Sequence, residues 1–225
     1  MDPVLLPSLK AMVIIPLTLL PIINPLSGAP IFLATVGSSP QIIPALARQV
    51  AINCFVVLVV SMMVGTYVLE LFGISLPIVR IGGGLLVAAT GWRMLNRQDE
   101  DDVRQAVAHS QAAEHPSEAE IVRRSFFPIT FPLTTGPGSI AASIALGAKL
   151  PSTPAMYVLG VLVALVGAAI TALVIYGVYR HSAALLNRLG EVGTLVMMRL
   201  VAFILLCIGI EIMWTGWAEL NGLPG

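Results

Sequence analysis

A chain of 225 residues that is 57% hydrophobic and only 11% charged, with a mean hydropathy of +0.92, is a membrane protein by composition, because soluble domains are about one quarter charged. Its formal net charge of zero gives no reason to expect nucleic acid or an anionic surface as a partner. Cys54 and Cys207 lie singly in apolar runs and read as small buried hydrophobes, while His109, His115 and His181 lack metal-ligand spacing, so no disulfide framework, metal or other cofactor is expected.

The first ten residues, MDPVLLPSLK, carry no basic n-region, and the apolar run behind them is too long for a signal-peptide core. That first segment is therefore expected to persist in the mature protein. A bilayer core needs about 20 apolar residues of helix. Six segments qualify, at 7–36, 45–71, 76–95, 125–149, 153–179 and 195–218, so the expected fold is an all-α membrane protein of six transmembrane helices. The first and fourth segments are long and interrupted by proline and glycine; the others are continuous. The one strongly polar stretch, 96–124, separates residues 1–95 from residues 125–225. Its acidic run, Asp99 to Asp102, lacks the glycine and glutamate spacing of a calcium loop and reads as a solvated connection.

Lys and Arg set the expected orientation. One side would carry Arg48, Arg93, Arg97, Arg104, Arg123, Arg124, Arg180 and Arg188, the other at most Lys10, Arg80, Lys149 and Arg199. The richer side should be cytoplasmic, with both termini outside.

Laying the first interrupted segment over the fourth with a shift of 112 residues aligns Pro16 with Pro128, Thr18 with Thr130, Pro25 with Pro137 and Ser27 with Ser139. This agreement points to duplication of a three-helix unit. Three is odd, so the second copy would enter the membrane from the opposite side, giving two inverted repeats. The stretches NPLSG and TTGPGS should each unwind their helix, since proline lacks an amide hydrogen and glycine relaxes the backbone. Unwound backbone is tolerated at membrane depth only when it is buried in protein or lines a polar cavity. The two breaks are therefore expected to meet near the midplane. Half-helix N-termini there would attract an anionic group, and freed carbonyls a cationic one. The residues expected to line this two-ended site are Asn24, Pro25, Ser27 and Gly28 from the first break, with Thr134, Thr135, Gly136, Pro137, Gly138 and Ser139 from the second.

Charges inside membrane segments are costly and mark function. Arg80 and Arg199 either snorkel to head groups or reach inward to gate the site. Glu211 either binds a coupling proton or cation or stands at the outer interface beside Trp214 and Trp217. Glu70 reads as interfacial. The run Gly82–Gly83–Gly84 should let its helix approach an interrupted one closely.

The motifs INPLSGAPIFLA and FPLTTGPGSI, with RIGGG and the six-segment layout, resemble the MarC/SnatA family over nearly the whole chain. The resemblance implies an inner-membrane protein of the neutral amino acid transporter group. This chain departs from the family's D-P-x-G-type pattern at Asn24, which leaves the first break without a titratable group. The leading expectation is a secondary transporter, for uptake or export, of small neutral amino acids such as glycine, alanine, serine and threonine. The alternative is an ion or small-solute channel on the same paired half-helices. No nucleotide-binding signature, HExxH or paired membrane aspartates occur, so an ATP-driven pump and an enzyme are not expected. The expected partners are the amino acid, the bilayer, a coupling proton or sodium ion, and a second copy of the chain in a homo-oligomer.

Overall fold

The computed structural model describes residues 5–36, 40–96, 125–150 and 154–223. The 97–124 connection, with Asp99–Asp102, His109 and His115, lies outside the described residues. All regular elements among the described residues are helical: α1 (Leu5–Ile23), α2 (Pro25–Val36), α3 (Ile43–Leu71), α4 (Leu76–Asn96), a wide-turn segment (Ser125–Thr134), α5 (Pro137–Gly147), α6 (Pro154–Arg180) and α7 (Ser182–Leu220), with one 3-10 turn at Pro40–Ile42. Four helical stretches, Ile43–Leu71, Leu76–Asn96, Met156–Arg180 and Val192–Leu220, are long and apolar enough to cross a bilayer. Two bent pairs bring the total to as many as six: Met12–Ile23 with Pro25–Val36, bent by 53°, and Ser125–Thr134 with Pro137–Gly147, bent by 71°. The outer surface is apolar, with Leu17, Val56, Leu85, Leu173 and Phe203 pointing outward, as lipid contact requires.

Both expected interruptions occur, and the second differs from a simple break. Ser125–Thr134 winds as a π-helix in which Phe127 and Phe131 are extended rather than α-helical. Each precedes a proline, Pro128 or Pro132, and a proline pushes the preceding residue out of the α region. In α1, Pro16 and Pro21 instead lie within the helix. The sixth segment also begins earlier than 195. Helix α7 starts at Ser182, and Gly190, at φ 66° and ψ 178°, interrupts it before the membrane-length part.

The packing is crosswise between the chain's two halves. Helix α3 lies against the wide-turn segment, α5 and α6; α6 also lies against α1 and α2; and α4 runs along α7 while touching α5. Small residues make the α4–α7 seam. A Cβ added to Gly84 would sit 2.6 Å from the Gly209 carbonyl oxygen, and one on Gly209 would sit 2.3 Å from the Ala88 nitrogen. Within lipid such close approach is a principal source of helix association. The glycine run thus divides its work: Gly83 faces Ala141 of the interrupted α5, Gly84 faces α7, and Gly82 has nothing within 4 Å. Cys54 is buried as expected, but Cys207 is exposed. The face of α7 turned inward holds Leu205 and Gly209, and Cys207 points off it.

Replacing Gly84 with alanine should lower stability by about 1–3 kcal/mol, because backbone blocks the new methyl. The same change at Gly82 meets open space and should leave stability equal or slightly higher. Thermal unfolding of the two variants in detergent checks the contrast.

Candidate functional site

At the first break Asn24 is the one residue outside the flanking helices, and it adopts a left-handed conformation with φ 49°. Asparagine tolerates this region better than most side chains. Its side chain caps α2: Nδ2 donates to Ser27 Oγ at 2.6 Å, and Oδ1 accepts from the Ser27 amide at 3.3 Å. Pro25 follows as the first helical residue, where a missing N–H is least harmful.

The second break centres on Gly136, extended at φ −79° and ψ 177°, and α5 begins at Pro137. Hydroxyls satisfy the distorted backbone around it. Thr130 donates to the Ser125 carbonyl at 2.6 Å, Thr134 to Ile129 at 2.7 Å, Thr135 to Thr130 at 3.0 Å and Ser139 to Gly136 at 2.8 Å. Asn53 of α3 anchors the start of this segment through Ser125, at 3.2 Å. Asn24 and Gly136 stand 112 positions apart, and each is followed by the proline that opens a half-helix.

One side chain joins the two breaks. Tyr179, near the end of α6, is fully buried and stacks on Phe32 of α2 with centroids 4.7 Å apart and planes 6° from parallel. Its hydroxyl lies 2.8 Å from Thr134 Oγ1. Thr134 gives its only proton to Ile129, so the phenol is the donor in this pair. A Cβ on Gly28 would come within 2.5 Å of the same phenol oxygen. Glycine at position 28 is therefore what lets the first break approach the second through Tyr179. Cys54 of α3 lies buried beside the Thr135 side chain.

Asn24, Pro25, Ser27, Gly28, Thr134, Thr135 and Ser139 are all buried. Gly136 is half-buried and Pro137 exposed, while Gly138 turns toward Val87 of α4 instead of toward Gly28. The charged residues singled out from sequence do not join this group. Arg80 forms an ion pair with Glu219 of α7. Arg199 and Glu211 are exposed on α7, the latter one turn from the stacked Trp214 and Trp217. Sequence reasoning missed Tyr179, although a signal existed: Gly177–Val178–Tyr179 repeats Gly65–Thr66–Tyr67 at the same shift of 112 residues.

The result is an uncharged cluster of hydroxyls, one amide and one phenol between two half-helix starts. It can exchange hydrogen bonds with a small polar molecule, and it contributes no fixed charge. The model of the MarC family, described as integral membrane proteins, matches residues 9–220. The chain belongs to this family. Among its MarC relatives, the inner membrane protein MarC of Escherichia coli O1:K1 is 34% identical over 206 residues, covering 90% of this chain and 91% of that protein. The MarC proteins of Escherichia coli K12 and Shigella flexneri are each 34% identical over 208 residues with the same coverage. No solved structure matches the chain.

Asn24 serves both as a left-handed residue and as a cap, and the two roles separate by mutation. Asn24→Gly keeps the backbone freedom and should cost a few tenths of a kcal/mol, whereas Asn24→Ala loses both and should cost about 1–2 kcal/mol. Unfolding midpoints of the two variants report the difference.

Proposed function

We propose that this MarC family member is a secondary transporter of small neutral amino acids in the inner membrane. Its two broken helices would hold the substrate between them. The observation that carries this reading is the pair of helix breaks at Asn24 and Gly136, 112 positions apart, flanked by buried hydroxyls and joined through Tyr179. In this reading each bent pair is one span, giving six. Residues 1–95 and 125–225 are inverted three-helix repeats, which the crosswise packing of the halves supports. The termini lie outside and the polar loop lies in the cytoplasm.

Amino acids are zwitterions, and half-helix ends can meet both of their charges with backbone dipoles. The buried lining of Ser27, Gly28, Thr134, Thr135 and Ser139 is small and uncharged. A lysine or glutamate side chain would bury a charge without a partner, at a cost of several kcal/mol. Contact between Tyr179 and Gly28 closes the space between the breaks in this conformation, which suits an occluding carrier better than an open pore.

Counterflow in proteoliposomes should show labelled alanine, glycine, serine and threonine exchanging, and lysine and glutamate failing. Flux that does not saturate would favour the channel, and no exchange of any neutral amino acid would sink the substrate assignment. The orientation has its own check. A cysteine at Ser110, in a background without Cys54 and Cys207, should react with an impermeant maleimide only after the membrane is permeabilised. Reaction in intact cells would reverse the topology.

A further inference from the structure

Packing alone gives Tyr179 no reason to carry a hydroxyl. Its ring stacks on Phe32 with centroids 4.7 Å apart, which phenylalanine would do equally well. The hydroxyl adds one bond, to Thr134 Oγ1 at 2.8 Å, in a place where an unpaired hydroxyl is costly. Thr134 is only 2% exposed, and the phenol oxygen fills the space beside Gly28. A molecule held between the two breaks at this point therefore takes the phenol's place.

The direction of the bond decides what can replace the phenol. Thr134 gives its proton to the Ile129 carbonyl and only accepts from Tyr179. A carboxylate only accepts, so it cannot take over that position; an ammonium only donates, so it can. We infer that Thr134 Oγ1 is the ammonium acceptor of the inter-break site, and that the Tyr179 O–H holds it when no substrate is bound. This rests on the transporter reading and deepens it, since it says which end of the zwitterion meets which break. The ammonium lies at Thr134 of the wide-turn segment. The carboxylate faces Gly28 in the first turn of α2, where the helix dipole favours an anion. A phenol is close to alanine in size, so the space it gives up suits a small neutral amino acid.

Tyr179 is also placed where it can leave. It is the penultimate residue of α6, with the turn at His181 close behind it. Its phenol can swing toward the end of the helix while the deeper face of α6, where Gly167 packs on Ile15, stays in register. No helix has to rotate.

Binding of radiolabelled alanine to the purified protein tests the assignment. Tyr179→Phe keeps the stack and removes the competing donor, so alanine should bind about threefold to tenfold more tightly, the worth of one hydrogen bond. Adding Thr134→Val to Tyr179→Phe should undo that gain, because the ammonium loses its acceptor; adding Thr134→Ser, which keeps the hydroxyl, should preserve it. Thr134→Ala serves in place of Thr134→Val if the valine variant does not fold. A phenol that merely latches the breaks together would already be released in Tyr179→Phe, and Thr134→Val would then change nothing further. Alanine affinity that is unchanged or lower in Tyr179→Phe, or a gain that survives Thr134→Val, overturns the assignment and leaves the transporter reading standing. Absence of binding by every neutral amino acid in all variants overturns both.

Discussion

A proline inside a lipid-embedded helix leaves a carbonyl without its N–H partner, and lipid offers no replacement. The rest of this molecule follows from that constraint. Pro25 and Pro137 each end one helix and begin another, and the polar side chains of the chain's interior gather where backbone pairing fails. Asn24 answers at the first break; Thr130, Thr134, Thr135 and Ser139 answer at the second. Those groups must be buried among other helices, which holds both breaks inside the bundle even though other parts of the interrupted segments, such as Leu17, face outward.

Burial of this kind needs close approach, and the chain supplies it with glycine and alanine where a soluble protein would use large apolar side chains. Gly28 admits the Tyr179 phenol, Gly83 admits Ala141, and Gly147 meets the Met62 backbone. The long helices α4 and α7 meet through Gly84, Ala88 and Gly209. Large apolar residues fill the remaining interior, with Leu19, Phe32, Leu46, Leu58 and Ile175 fully buried, and also cover the outer surface that faces lipid.

Much of this was legible in the residues. Apolar runs and their lengths gave the helices, and proline pairs 112 positions apart located both breaks to within a few residues. What escaped was anything set by the pairing of distant elements. Gly138 was expected to line the site with Gly28, yet it turns onto Val87 of α4, a neighbour that no local pattern reveals. Arg80 read as a candidate for the site because no local pattern reveals Glu219, 139 positions away. Tyr179 went unremarked in the sequence, since its partners Phe32 and Thr134 lie in two other segments. The wide-turn form of Ser125–Thr134 was readable in principle, because both extended residues precede prolines, but identical chemistry at Pro16 leaves α1 helical.

The Arg80–Glu219 pair has a consequence for biogenesis. Helix α4 reaches the membrane long before α7 is synthesised, so its mostly buried guanidinium spends that interval without its carboxylate. The small-residue face of α4 is equally unmatched until Gly209 arrives. The first half of the chain therefore waits in lipid as an incomplete scaffold, with a charge and a bare groove that α7 covers when it arrives.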